Sequence, residues 1–203
     1  MPLQPPPLPR EFYDRHAIDV ARGLLGKRLI RETAAGLVSG RIIETEAYLA
    51  SDDPACHAAR GKTRKNASMF GPPGHAYVYP IHSRYCFNVV TEPEGVPSAV
   101  LVRAVEPLAG LALMQSRRGQ DRLRELASGP AKLCEAFEID RGWDGWDLTQ
   151  GCQLWIAAEG GSLVRAASVG RSTRIGVTSA QHLPLRFFIR NHALVSGPRR
   201  LRE

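Results

Sequence analysis

Arg41-Ile42-Ile43-Glu44-Thr45-Glu46-Ala47-Tyr48-Leu49 is the stretch on which the reading of this chain turns. β-Branched and apolar residues dominate it and no helical period fits, so it reads as a strand. Strand alternation then places Ile42, Glu44, Glu46 and Tyr48 on one face and Ile43, Thr45, Ala47 and Leu49 on the other. The second face is apolar enough to sit on a core. The first carries two carboxylates about 7 Å apart, with a phenol beside them. An exposed polar face accounts for that pattern as well as a buried site does, because charged side chains usually lie outside.

The residues that follow favour a site. Ser51-Asp52-Asp53-Pro54-Ala55-Cys56-His57 leads into a basic loop, Arg60-Gly61-Lys62-Thr63-Arg64-Lys65-Asn66, then Met69-Phe70-Gly71-Pro72-Pro73-Gly74 and a strand, Ala76-Tyr77-Val78-Tyr79. Carboxylates, an aromatic, an imidazole, cations and two more aromatics thus succeed one another.

With these motifs the chain resembles the alkyladenine (3-methyladenine) DNA glycosylases of the mammalian type. The resemblance is carried by Arg41–Leu49, His57, Met69-Phe70, Gly74, Tyr77-Val78-Tyr79, Tyr85-Cys86-Phe87-Asn88, Val100–Leu108, Ser128–Cys134 and Pro184–Phe188. It runs from about residue 11 to about residue 196, and several motifs in the right order are far more specific than any one of them.

Composition fits a nucleic-acid partner. Among 203 residues, 27 Lys and Arg against 20 Asp and Glu leave a formal charge of +7, and such an excess suits a polyanion. A merely basic solvated surface accounts for it equally. No run of eighteen apolar residues is present, and the Pro-rich residues 1–10 read as a flexible tail without a signal-peptide core. Arg199-Arg200-Leu201-Arg202 is expected to fray. Cys56, Cys86, Cys134 and Cys152 form no Cys-x-x-Cys pair, which suits a reduced, cytoplasmic protein rather than a zinc site or disulfide scaffold. No phosphate-loop or dinucleotide motif occurs, so no cofactor is expected.

Asp14 to Leu25 reads as a helix capped by Asp14. Strands are expected near 27–31, 40–49, 76–79, 85–90, 99–105, 153–158, 174–176 and 185–189, with helices over 108–118 and from Gly129-Pro130 to Phe137, the latter capped by Ser128. Strands that follow one another without helical crossovers imply an α+β fold. A single compact domain over residues 11–203 is expected, its sheet mostly antiparallel and flanked by helices, and the resemblance implies that the sheet is curved.

The resemblance also implies a chemistry: release of a damaged purine from deoxyribose. A fixed carboxylate stabilises the developing sugar cation and deprotonates water. By resemblance Glu46 is that base, and Arg103 helps to hold the water and the nearby phosphate. Arg103 reads alternatively as the partner of a strand carboxylate. Glu44 is either a structural hydrogen-bonding residue or one of a carboxylate pair that cannot both ionise unaided.

A base within a duplex must be turned out to be reached. Tyr48, His57 and Tyr79 match the side chains that sandwich it, Tyr77 is wall or core, and Asn88 matches a filter against undamaged guanine. Electron-rich rings attract cationic alkylpurines. The family's intercalating tyrosine is missing, because the hairpin here reads Pro80-Ile81-His82-Ser83-Arg84-Tyr85, one residue shorter. His82 or Arg84 stands nearest the wedge position. Lys62, Thr63, Arg64 and Lys65, with Arg171 and Arg174, are the candidates for phosphate contact. No lysine replaces the carboxylate, so no lyase step is expected. The partner is double-stranded DNA containing damaged purines. Two other classes stay open: a nuclease with magnesium on Glu44, Glu46, Asp52, Asp53 and His57, and a non-catalytic module whose tyrosines bind damaged DNA.

Overall fold

The computed structural model describes residues 4–158 and 164–198. Its elements are α1 (Arg10–Tyr13), α2 (Ala17–Leu24), β1 (Arg28–Thr33), β2 (Gly36–Tyr48), β3 (Ala76–Ile81), β4 (Arg84–Thr91), β5 (Ser98–Ala109), α3 (Leu111–Arg118), α4 (Leu123–Ala127), α5 (Pro130–Phe137), β6 (Leu154–Ala157), β7 (Val169–Ser172) and β8 (Arg186–Ile189). Every strand pair is antiparallel, in the order β3-β4-β5-β2-β1-β6. The long β2 has β5 along one edge, while β1 and then β8 share the other, and β7 extends β8. This is the α+β architecture expected.

Strand β2 departs from simple alternation. Ile42 lies opposite Val105 and Glu44 opposite Ala104, so Ile43 is the extra residue of a β-bulge,. Ile42 consequently joins the main core with Val20, Leu24 and Val105. Ile43 points to the opposite side, among Ala104, Phe188, Leu194 and Val195. The expected grouping of Ile42 with the two glutamates is therefore corrected: the bulge exchanges the two isoleucines. Beyond it alternation resumes, with Ala47 in the main core and the Thr45 hydroxyl donating to the Ala21 carbonyl at 2.8 Å. That bond ties β2 to α2, whose buried Ala17, Val20, Ala21 and Leu24 follow the helical i, i+3, i+4, i+7 spacing,.

Other boundaries move for local reasons. The helix expected over 14–25 is shorter and capped differently: Asp14 closes α1, and α2 starts after His16, whose ring accepts the Ile18 amide. Strand β5 runs on to Ala109. The next helix waits for Gly110, whose φ of 75° suits glycine and where a Cβ would stand 2.3 Å from the Leu37 carbonyl oxygen,. Ser128 does not cap α5: Gly129 occupies that position, and the Ser128 hydroxyl donates to the Leu194 carbonyl. Residues 174–176 are not a strand; β7 lies just before them.

Part of the tail is docked rather than free. The Leu8 amide donates to Ile156, Trp155 donates to the Pro5 carbonyl, and Leu8 is buried. Arg199–Arg202 lies outside the described residues. On the face of the sheet away from α2, a small cluster of Cys56, Ala58, Met69, Tyr77, Val90 and Ala99 packs against Tyr48, Phe70 and Tyr79 and underlies the site.

Candidate active site

Past the bulge, Glu44, Glu46 and Tyr48 share one side of β2, and the structure buries both carboxylates completely. Glu44 accepts from Arg103 Nε at 2.9 Å, Arg186 Nε at 2.7 Å, the Ser196 amide at 2.6 Å and the Ser196 hydroxyl at 2.8 Å. Burial pushes its carboxyl pKa up, but Arg103, Arg186 and the Ser196 amide outweigh it and hold it below the ordinary value,. Glu44 is thus an ionised structural anchor, not a shared-proton partner. Neither Arg186 nor Ser196 stood out in the sequence, because nothing local links them to a strand 140 or more residues earlier.

Glu46 is held by three donors. Arg103 Nη1 at 3.2 Å and the Ile175 amide at 2.8 Å both reach Oε1, and the Tyr48 hydroxyl reaches Oε2 at 3.0 Å. A carboxylate offers about four lone-pair sites, and on Oε2 the hydrogen bond is that of the Tyr48 hydroxyl, which leaves this oxygen capacity to accept from a water. Arg103 joins both glutamates and also donates to Ser196. Burial lowers its pKa, Glu46 and Glu44 raise it further, and it stays cationic. Buried and paired with both carboxylates, it holds them in place.

Above them opens a cavity of about 540 Å³ lined by Tyr48, His57, Tyr77, Tyr79 and Asn88. All five are residues the sequence proposed for the base pocket. Glu46 itself does not line it; the carboxylate lies one hydrogen bond below, under Tyr48. Tyr79 and His57 meet edge to face at 4.4 Å, and Tyr77 and Tyr79 stand 5.6 Å apart. His57 Nδ1 is 2.8 Å from the Tyr77 hydroxyl. Burial lowers the His57 pKa and raises those of Tyr48, Tyr77 and Tyr79, so the walls favour their neutral forms. Asn88 is oriented by donating to the Tyr77 carbonyl at 2.9 Å.

Two sequence candidates are placed elsewhere. Arg174, proposed for phosphate, is buried in a bidentate pair with Asp53 at 2.6 Å on both arms, and also donates to the Ala47 carbonyl. The reason is position: Arg174 sits where segment 173–179 folds back over β2. Arg84, proposed as a wedge, is drawn to Glu135 of α5 and lines a separate cavity behind the hairpin. His82 remains at the exposed tip, in the two-residue turn that joins β3 to β4, with φ 53°,. Ile81, unnoticed in the sequence, lines the cavity mouth and is 42% exposed. Its signal was present as an apolar residue immediately before a hairpin turn.

The basic loop is organised by a buried Asn66. Its oxygen accepts the Thr63 amide and hydroxyl, and its nitrogen donates to the His57 and Gly61 carbonyls. Thr63 is thereby engaged within the loop, while Lys62, Arg64 and Lys65 project outward. Arg60 lines the cavity rim. Among the described residues no group of three His, Cys, Asp or Glu is disposed to hold a metal. Glu44, Glu46 and Asp53, which the nuclease reading requires, are each held by an arginine.

Comparison with known proteins gives the same direction. Residues 11–193 match the family model described as methylpurine-DNA glycosylase (MPG). Proteins named "Putative 3-methyladenine DNA glycosylase" are similar along almost their whole length. That of Carboxydothermus hydrogenoformans is 48% identical over 190 residues, 93% of this chain and 98% of that protein. That of Methanocella arvoryzae is 48% identical over 196 residues, 94% and 96%, and that of Mesorhizobium japonicum 44% over 199 residues, 98% and 94%. The chain belongs to the methylpurine-DNA glycosylase family.

Proposed function

We propose that this protein is a monofunctional DNA N-glycosylase that turns alkylated purines out of duplex DNA and hydrolyses their glycosidic bond, leaving an abasic site. The observation that carries this reading is the succession of an aromatic cavity, Tyr48 in its wall, and a buried glutamate bonded to the Tyr48 hydroxyl and paired with Arg103.

A purine stacked among Tyr48, Tyr79 and His57 loses contact with water while its sugar is turned towards the Tyr48 hydroxyl and the carboxylate behind it. As the base departs, positive charge grows on the sugar. Glu46 stabilises that charge and takes a proton from a water admitted beside the Tyr48 hydroxyl. Arg103, paired with both glutamates, keeps Glu46 ionised and correctly turned. Asn88 restricts the part of the cavity next to Tyr77 and supports discrimination against undamaged guanine. Among the described residues no lysine lines the cavity, so the reaction ends at the abasic site.

Lys62, Arg64 and Lys65 grip the phosphates, and the hairpin tip at Ile81 and His82 meets the gap in the stack. Such an enzyme acts as a monomer on the genome, inside the cell. The test is base release from duplexes carrying 7-methylguanine, 3-methyladenine, hypoxanthine or ethenoadenine, scored as alkali-labile sites with and without EDTA. Release of at least one base that persists in EDTA is expected. Strand cleavage that EDTA abolishes favours the nuclease instead, and tight binding without release favours the binding module.

A further inference from the structure

Arg174 backs the ring that the cavity presents to its ligand. Its guanidinium carbon lies 4.6 Å from the centroid of the Tyr48 ring. Its side chain is fully buried, and it is absent from the lining of the cavity to which Tyr48 belongs. One face of Tyr48 is therefore already occupied by a permanent cation, and a bound base meets the other. The cation is fixed rather than wandering: Asp53 grips it with both oxygens, the Ala47 carbonyl accepts a third bond at 3.1 Å, and Asp53 is in turn held by the amides of Leu49 and Ala55. Other charges near Tyr48 are Glu46 at its hydroxyl and Arg103, which is matched by Glu44 and Glu46, and Arg60 stands on the rim of the same cavity without being placed over the ring.

We propose that Arg174, acting through Tyr48, sets the charge preference of the cavity, restraining its taste for cationic bases so that neutral damaged purines are accepted alongside them. An aromatic face attracts a cation through its quadrupole. Two cations on opposite faces of one ring share that attraction and repel each other, and a water-poor site screens the repulsion weakly. A neutral purine stacks on the same ring without this penalty. Asp53 balances the charge so that the pair can be buried, but the guanidinium is the group that stands over the ring. The inference rests on the base-excision reading for its substrates.

The experiment compares release of cationic 7-methylguanine and neutral hypoxanthine by the wild type, Arg174→Gln and Arg174→Lys. Arg174→Gln raises the cationic-to-neutral ratio of kcat/KM by about fivefold or more, as expected for removing a weakly screened like charge. Arg174→Lys keeps the positive charge but not the bidentate pair, and holds the wild-type ratio even where both rates drop. Equal losses on both substrates in Arg174→Gln, with the ratio unmoved, overturn the inference and leave Arg174 as a clamp between loops. Should Arg174→Gln fail to fold, the double variant Asp53→Asn with Arg174→Gln removes both buried charges and is read by the same ratio. A wild-type protein that releases neither base contradicts the excision reading instead. The affinities for 7-methyl-2′-deoxyguanosine and 2′-deoxyinosine, read by tyrosine fluorescence quenching, then decide the present inference by the same shift or its absence.

Discussion

The Tyr48 hydroxyl donates to Oε2 of Glu46 across 3.0 Å, joining the wall of the cavity to the carboxylate two residues earlier on the same strand. Tyr48→Phe keeps the ring and its guanidinium neighbour and removes only this donor. Hydrogen bonds to charged groups contribute about 1.5–3 kcal/mol. Single-turnover base release should therefore fall about tenfold or more, while affinity for a lesion duplex changes by less than about threefold. A fall in affinity with an unchanged chemical step would show that the hydroxyl serves binding alone.

Glu44 is the anchor below. Glu44→Gln leaves the fully buried Arg186 and the nearly buried Arg103 short of their shared counter-charge. Breaking a buried pair in this way costs about 3–5 kcal/mol. For a chain of this length the melting temperature should fall by roughly 10 °C. The pH dependence follows from the same residue. Its folded pKa lies below the ordinary 4.5, so the unfolded chain takes up the proton first. Its stabilisation is present above about pH 4.5 and is lost as pH falls through the folded value. Acid unfolding monitored by circular dichroism should show Glu44→Gln with a weaker dependence on pH in that window.

Much of this was legible in the strand that opened the sequence reading. Glu44, Glu46 and Tyr48 announced a site because their types are costly to bury together, and local periodicity placed most elements within a few residues. What failed were features decided by distant partners. The bulge at Ile43 depends on how Ala104 and Val105 pair with β2, and no pattern within 41–49 reveals it. Arg174 looked like any exposed arginine until Asp53, 121 residues earlier, closed on it. Arg84 looked free until Glu135 of α5 came alongside. Ion pairing across more than fifty residues leaves no periodic trace.

The hairpin tip separates two of these residues experimentally. Ile81 projects at the cavity mouth, whereas Arg84 is tied to α5. An apolar side chain inserted between base steps holds a flipped nucleotide out of the stack. Ile81→Asp should weaken binding to a lesion duplex by about tenfold, the scale of 1.4 kcal/mol, and Arg84→Ala should change it far less. Equal effects in a titration by fluorescence anisotropy would contradict this division of roles.

The projecting cations of the Asn66-organised loop should show in salt dependence. Each phosphate contact contributes about one unit to the slope of log K against log salt. Replacing Lys62, Arg64 and Lys65 together by alanine should reduce the slope for undamaged DNA by about two to three units. An unchanged slope would place the phosphate grip on another surface.

The central claim is that the Glu46 carboxylate drives base release from beneath the aromatic cavity. The most direct measurement is single-turnover release of 7-methylguanine by Glu46→Gln in EDTA, with duplex affinity and melting temperature measured on the same preparation. The account predicts a folded protein that still binds the lesion duplex and releases no base above background. Release at the wild-type rate would contradict it.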